Sequence, residues 1–180
     1  MYFQEAGKQN TLKTVELAIE AARKKNIKHI VVASCSGDTA KYFINANELD
    51  IVCVTHANGF EQAGKNEMPD KVRKELMDAG IKVLTTTHVL SGAERGISRK
   101  FGGAYPVEIM AHTLRMFGQG VKVCVEISVM ALDAGLIPYG ESIIAVGGTA
   151  EGADTAVILK PAHANSIFDT RIEEIICKPI

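Results

Sequence analysis

Residues 30–40 read Ile30-Val31-Val32-Ala33-Ser34-Cys35-Ser36-Gly37-Asp38-Thr39-Ala40, and this stretch decides the fold class. Its first four residues form a continuous apolar run, which is typical of a strand buried on both faces of a parallel sheet. A polar loop follows, and a helix is predicted from Asp38 to about Ala46. A buried strand that leads through a short loop into a helix is the repeating unit of an α/β protein.

The same alternation continues on both sides of this stretch. An amphipathic helix is predicted from Asn10–Thr11 to about Asn26, because apolar and charged residues alternate there with a helical period. Further helices are predicted from Pro69 to Gly80 and from Pro106 to about Phe117. Additional strands are predicted at 51–54, 81–86, 142–146, 156–159 and 172–177. This order predicts one domain over residues 1–180, a three-layer α/β sandwich around a mostly parallel mixed sheet.

One segment, residues 121–133, fits two kinds of secondary structure. Its many β-branched residues favour a strand, whereas Lys122, Glu126 and Asp133 recur at helical spacing opposite an apolar side. We interpret the segment as a helix because the polar residues follow the helical period.

Composition and charge narrow the class of partners. The chain has 180 residues, is 47% hydrophobic and has a formal net charge of −1, so neither nucleic acid nor a membrane surface is an expected partner. The start has no signal-peptide pattern, and no apolar run is long enough to span a membrane. Four cysteines lie far apart without a CxxC pair, so we expect no metal site. A cytoplasmic protein with reduced thiols is expected.

The loop between the first buried strand and its helix is the first candidate site. Ser34, Ser36, Gly37, Asp38 and Thr39 combine hydroxyl groups, a glycine and the backbone N–H groups of a helix start. Such a start attracts anions, so a phosphate group is one expected ligand. The alternative is that Ser36 or Asp38 simply caps the helix.

Three further loops contain candidate binding residues. The loop after the strand 51–54 lies where parallel sheets usually bind ligands, and the polar stretch 85–103 offers acid–base groups and an arginine. The glycine-rich loop 147–155 is longer than a tight hairpin and could close over a ligand. The alternatives are a flexible turn for 147–155 and an ordered surface loop for 85–103. The candidates in these loops are Thr55, His56, Asn58, Gly59, His88, Ser91, Arg95, Gly147, Gly148, Thr149, Asp154 and Thr155.

Several of these segments resemble the C-terminal domain of pyruvate kinase. The resemblance covers the first 55 residues, including Ser36-Gly37-Asp38-Thr39-Ala40, and residues 121–160, including Gly140-Glu141-Ser142-Ile143-Ile144-Ala145-Val146-Gly147-Gly148. It implies that fold, with the serine–glycine loop holding a phosphate of a sugar bisphosphate effector. The chain has no catalytic barrel, so the resemblance implies no pyruvate kinase activity.

The whole chain looks closer to a stand-alone archaeal and bacterial family with this fold. The residues that carry this likeness are Ile97-Ser98-Arg99-Lys100, Gly152-Ala153-Asp154-Thr155-Ala156 and Pro161-Ala162-His163-Ala164-Asn165. The resemblance implies flavin mononucleotide as the ligand, with its phosphate on Ser36–Thr39 and its ring among residues 55–60, 88–95 and 147–155.

Two main functions are therefore expected. The first is a flavin mononucleotide-binding protein of unknown substrate, with oxidoreductase chemistry as one option. The alternative is a non-catalytic module that binds a phosphorylated metabolite or nucleotide effector. A third, weaker option is a phosphate-ester enzyme that uses His56 or His88. A homo-oligomer is compatible with each of them.

Overall fold

A seven-stranded mixed sheet forms the centre of the protein, and the structure, a computed structural model, describes residues 1–180. The strand order is β1-β7-β6-β5-β2-β3-β4. Strand β6 is antiparallel to both of its neighbours, and the other pairs are parallel. The strands are β1 Tyr2–Phe3, β2 His29–Ala33, β3 Asp50–Val54, β4 Lys82–Leu84, β5 Ile143–Gly147, β6 Thr155–Lys160 and β7 Arg171–Pro179.

Helices cover both faces of this sheet. They are α1 Thr11–Lys25, α2 Asp38–Lys41, α3 Asp70–Asp78, α4 Gly92–Phe101, α5 Pro106–Arg115 and α6 Gln119–Asp133, with 3-10 helices at Lys8–Asn10 and Ala164–Asp169. Side chains alternate along a strand, so Ile30 and Val32 pack with α1 on one face while Val31 packs with α6 on the other. The predicted three-layer α/β architecture is therefore confirmed. No helix has the length and apolar character needed to span a membrane.

The helix chosen for residues 121–133 is present as α6, but of its three charged residues only Asp133, at the end of the helix, is exposed to solvent. Twelve of its 15 residues are buried, and these include Lys122 and Glu126. The reason is that α6 lies between the sheet and the outer helix α5, so that both of its sides are covered. The polar residues do follow a helical period, as predicted. Such a period usually indicates a side of the helix that faces solvent, but Lys122 and Glu126 are buried.

Two helices differ from the sequence-based expectation. Helix α2 ends at Lys41 instead of continuing to Ala46, because the next amides bond three residues back, as in Phe43 N–H to Ala40 O (3.0 Å). Residues 92–101 form helix α4, which the sequence did not predict because Gly92 and Gly96 are poor helix formers.

The parallel strands β2, β3, β4 and β5 all end at the same edge of the sheet. The pairing of Val32 with Val146 and of Val54 with Leu84 brings their carboxyl ends side by side. Three of the predicted loops leave the sheet at this edge, and the glycine-rich loop 147–155 begins there. The carboxyl edge is therefore the part of the fold where a site can combine side chains from distant segments.

Candidate functional site

A cavity of about 220 Å³ opens at the carboxyl edge, on the side of the sheet that α4, α5 and α6 cover. It brings together five of the residues that the sequence nominated, namely Thr55, His56, His88, Ser91 and Arg95. It also includes five polar residues that sequence reasoning missed, namely Cys35, Arg115, Gln119, Lys122 and Glu126. The missed residues come mainly from the end of α5 and from the first turns of α6.

Positive charge dominates this cavity. Arg95, Arg115 and Lys122 line it, whereas Glu126 is its only carboxylate. The Nε–H group of Arg115 donates to the side-chain oxygen of Gln119 at 2.7 Å, and the guanidinium of Arg95 has no hydrogen-bond partner in the chain. Neither arginine is paired with a carboxylate, so both can receive an anion.

Lys122 and Glu126 form a buried ion pair at the base of the cavity. Their exposed fractions are 6% and 5%. The ammonium group of Lys122 donates to one oxygen of the Glu126 carboxylate, and the other oxygen accepts the Leu90 N–H group at 2.9 Å. Burial lowers the pKa of Lys122, while the neighbouring Glu126 opposes this shift. The pair thus fixes the Leu90 backbone, next to Ser91, against α6.

Three aromatic rings stand at the mouth of the cavity. The His56 ring stacks on Phe60 with 3.8 Å between centroids, and His88 meets His56 edge-on at 5.4 Å. Burial is the main cause that lowers the pKa of His88, with neighbouring cations adding to the effect and Glu126 opposing it. His88 is therefore a neutral imidazole at pH 7, able to donate one hydrogen bond and accept another.

Several polar groups of the loop Ser34–Thr39 are hydrogen-bonded within the chain. The hydroxyl oxygen of Ser34 accepts the N–H groups of Thr39 (3.1 Å) and Ala40 (3.3 Å), while Ser36 donates to the Asp38 carboxylate at 2.9 Å. Helix α2 has only four residues, so its dipole is short. The geometry favours the capping alternative: Ser34 caps the helix together with Ser36, whose hydroxyl oxygen accepts the Asp38 N–H group at 3.3 Å.

Gly37 is explained by packing without any ligand. Its φ of +92° is in the left-handed region, and a Cβ atom there would lie 2.4 Å from Cγ1 of Val72 on α3. Only glycine fits such a position without displacing the neighbouring helix. The structure thus requires a glycine at this position because the backbone lies close to α3.

The glycine-rich loop 147–155 lies outside the cavity, and its polar groups form hydrogen bonds within the chain. Asp154 is fully buried, and one of its oxygens accepts the N–H groups of Gly7 (2.9 Å) and Thr149 (3.2 Å). The other oxygen accepts the Thr155 hydroxyl at 2.8 Å. A Cβ atom on Gly148 would lie 2.6 Å from the Gly152 carbonyl oxygen. In this structure the loop ties the N-terminal segment to the sheet.

Asn58 and Gly59 also lie outside the cavity, in the exposed loop between β3 and α3. The side-chain oxygen of Asn58 accepts from the Asn66 amide at 2.9 Å. The Gly59 N–H group donates to the Lys65 carbonyl at 2.8 Å. These bonds stabilise the conformation of the loop that carries His56 and Phe60. Asn58 and Gly59 therefore contribute to the cavity only indirectly, through this loop.

A match to a known family supports the same fold. The family model for the pyruvate kinase alpha/beta domain matches residues 12–159. The chain belongs to this family. The resemblance to the C-terminal domain of pyruvate kinase is thereby confirmed, whereas the likeness to a stand-alone family with flavin mononucleotide stays a prediction.

Similar solved structures are pyruvate kinases from Cryptosporidium parvum. One is 18% identical, with a TM-score of 0.41 over 86% of this chain and 22% of that chain. Another, in complex with ADP, is 19% identical with a TM-score of 0.41, over 81% of this chain and 22% of that one. This member of the alpha/beta domain family therefore spans about a fifth of the length of those enzymes.

A second cavity, of about 320 Å³, lies on the outer face of this alpha/beta domain. Its walls come from α5, from the 3-10 helix Ala164–Asp169 and from β7, and they include Ile109, Met110 and Phe168. No titratable side chain lines it. The carboxyl-edge cavity is therefore the better candidate for a polar ligand.

Next to the carboxyl-edge cavity, Cys35 lies close to two possible metal ligands. A donor atom of each of Cys35, His56 and Glu67 lies within 4.8 Å of the other two. Burial raises the pKa of the Cys35 thiol to about 11, although the backbone of His56 opposes this shift. The sequence did not predict this group, because its members are separated by up to 32 positions (67 − 35).

Proposed function

We propose that this protein is a non-catalytic module that binds a small phosphorylated metabolite or nucleotide in the carboxyl-edge cavity. The observation that carries the proposal is the unbalanced charge of that cavity. Three cations and one carboxylate line it, so the arginine, lysine and glutamate side chains sum to a charge of +2. Because Glu126 already pairs with Lys122, Arg95 and Arg115 remain for a ligand.

Arginine chemistry favours a phosphate group over other anions. The planar guanidinium group presents a rigid fork of N–H donors that matches two oxygens of a phosphate. Around the two arginines, the neutral His88, Ser91 and Gln119 offer hydrogen bonds to hydroxyl groups of a sugar. Apolar side chains, among them Ile127 and Met130, line another part of the wall.

The size of the cavity favours a small ligand. Pockets for drug-sized molecules usually enclose about 300–1,000 Å³, and this cavity has about 220 Å³. A phosphorylated sugar or the phosphate end of a nucleotide suits that volume.

Flavin mononucleotide is the second candidate, since the family resemblance implies it. Its phosphate fits the two arginines in charge, and its ring could extend towards Phe60 at the mouth. The complete flavin would not be enclosed by the cavity in this conformation. When bound, the flavin itself would supply any redox chemistry. Visible absorbance of freshly purified protein tests this candidate directly.

The decisive experiment compares ligands that differ only in phosphate. We would titrate the protein calorimetrically with ADP and adenosine, and with flavin mononucleotide and riboflavin. The phosphorylated member of a pair should bind at least about tenfold more tightly, because a hydrogen bond to a charged group contributes roughly 1.5–3 kcal/mol. Equal affinity within each pair would refute the proposed phosphate recognition.

A matched pair of variants on α4 tests the position of the site. Arg95→Met should weaken binding of the phosphorylated ligand by about tenfold or more, and it should leave stability nearly unchanged because the guanidinium has no partner in the chain. Arg99→Met is the control, since Arg99 lies on the same helix but outside the cavity. Equal losses in the two variants would show that only general surface charge is involved.

Oligomeric state and cellular location stay predictions from the sequence. Light scattering of the purified protein at several concentrations would measure the proposed homo-oligomer. Fractionation of cells would measure the proposed cytoplasmic location.

A further inference from the structure

Two loops bring three potential metal ligands together at the mouth of the cavity. Cys35 belongs to the β2–α2 loop, whereas His56 and Glu67 belong to the β3–α3 loop. The three donor atoms lie within 4.8 Å of one another, and Nδ1 of His56 is 2.6 Å from a carboxylate oxygen of Glu67. All three side chains are partly buried. They therefore face a common space that remains open to solvent.

We propose that Cys35, His56 and Glu67 form a zinc-binding site. A thiolate sulfur, an imidazole nitrogen and a carboxylate oxygen are the three kinds of ligand that zinc uses in proteins. Metal–ligand bonds of about 2.0–2.3 Å in a tetrahedron place the ligand atoms about 3.5 Å apart. The donor atoms lie within 4.8 Å of one another, so the most distant pair needs to approach by up to about 1.3 Å. The His56 and Glu67 atoms, now 2.6 Å apart, need to separate by about 1 Å.

Charge balance also favours a divalent cation. With the thiol proton released to the buffer, Cys35 contributes one negative charge and Glu67 contributes another, while His56 binds as the neutral ring. The sum of −2 equals the charge of Zn²⁺ with opposite sign. A zinc ion would therefore replace the His56–Glu67 hydrogen bond without leaving a net charge in the partly buried site.

The β3–α3 loop, which carries His56 and Glu67, can adjust its conformation in the middle, whereas contacts hold it near both ends. Residues 55–69 contain no helix or strand, and loops of this length in compact domains are usually functional or mobile. At one end, the His56 ring is held against Phe60. At the other end, the buried Met68 follows Glu67 directly, and its N–H group donates to Asn66 at 2.9 Å. The ligands are thus positioned before any metal binds.

The site would keep one coordination position open. Three protein ligands and one exchangeable position are the pattern of zinc sites that interact with a substrate or ligand. Cys35 and His56 both line the carboxyl-edge cavity. The metal would therefore lie beside the proposed phosphate site, although its binding does not depend on that proposal. Phosphate binding measured with a chelator present separates the two.

The first test uses cobalt as a spectroscopic substitute for zinc. The full chain, stripped with a chelator, should bind one cobalt ion and develop a thiolate-to-cobalt charge-transfer band in the near ultraviolet, which zinc should then remove. Cys35→Ser should abolish this band. A bound cobalt ion without the band, or no binding at all, would overturn the proposal.

The second test compares variants of two similar histidine–carboxylate pairs. Glu67→Gln should weaken zinc binding by at least about tenfold, because the loss of a residue that only supports a metal ligand already costs about that much. Asp133→Asn is the control, because Asp133 and His163 form a pair at 2.7 Å that does not belong to the cysteine-containing group. Equal losses in both variants would refute the site.

A third measurement does not depend on any variant folding. Cys35 is partly exposed, whereas Cys53, Cys124 and Cys177 are buried, so alkylation of the native protein should modify Cys35 first. Zinc should slow this modification at least about tenfold, and mass spectrometry of the modified peptide would measure the rate. An unchanged rate with saturating zinc would overturn the assignment of Cys35.

Discussion

Replacing Glu126 by glutamine tests how the base of the cavity is held together. The change keeps an oxygen that can accept the Leu90 N–H group, but it removes the negative charge beside Lys122. Both side chains are almost fully buried, so the Lys122 ammonium would lose its counter-ion in a region of low polarity. Breaking a buried pair in this way usually costs about 3–5 kcal/mol of folding free energy.

Urea denaturation of the purified protein measures this loss. With a slope of about 2 kcal/mol per molar urea, the midpoint should fall by roughly 2 M. The double variant Lys122→Met/Glu126→Gln removes both charges and should recover most of the stability, because neutral replacement of a buried pair is often close to neutral in free energy. A Glu126→Gln loss below about 1 kcal/mol would refute the reasoning.

The stability loss in Glu126→Gln should also depend on pH, in a direction that follows from the pKa of Lys122. An unfolded lysine titrates near about 10.4, and burial lowers the pKa of Lys122 in the folded protein. Between the two pKa values the unfolded chain binds more protons, so the free energy of unfolding rises with pH in that window. Removing Glu126 lowers the folded pKa further and widens the window. The loss in Glu126→Gln should therefore shrink as the pH rises towards about 10, and a constant loss would contradict it.

Two further predictions concern residues that the structure assigns to internal hydrogen bonds. Ser34→Ala should lower the free energy of unfolding by about 1–2 kcal/mol, because it removes the acceptor for two buried N–H groups, and urea denaturation would measure the change. Phosphate affinity should stay unchanged, and its loss would restore the loop as a binding site. Asp154→Ala should lower stability by at least about 2 kcal/mol, since three donors lose their acceptor. A thermal midpoint that does not change would instead favour a ligand role for Asp154.

The fold could be predicted because the apolar runs, the helical periods and the order of the elements all indicated the same α/β architecture. The apolar run at Ile30–Ala33 indicated a doubly buried strand, and the structure confirms it with one residue of difference at the start of β2. The three late strands and α6 follow from apolar runs and from one helical period. Helix α4 could not be predicted, because its glycines oppose the helix and contacts with α5 compensate for them.

The site was predictable only where topology determines position. His56 was favoured because it follows a parallel strand, and the structure places it at the mouth of the cavity. Ser34 was assigned a ligand-binding role because a cap and a phosphate loop use the same residue types. Only the direction of its hydroxyl group separates the two, and that direction depends on the short α2. Cys35 and Glu67 meet through two loops whose shapes no local pattern specifies.

A signal for the missed cavity residues was nevertheless present in the sequence. Arg115, Gln119, Lys122 and Glu126 follow one another at intervals of four, three and four residues, which is the spacing of one side of a helix. The first of these intervals spans Gly118, which lies between the end of α5 and the start of α6. The side chains of Arg115 and Gln119 are nevertheless hydrogen-bonded at 2.7 Å. Lys122 and Glu126 occupy a helix that is otherwise almost wholly apolar. A helix of that composition is expected to be buried on all sides, so charged residues within it have no solvent to face. Such charged residues must pair with each other or line a cavity. Lys122 and Glu126 do both.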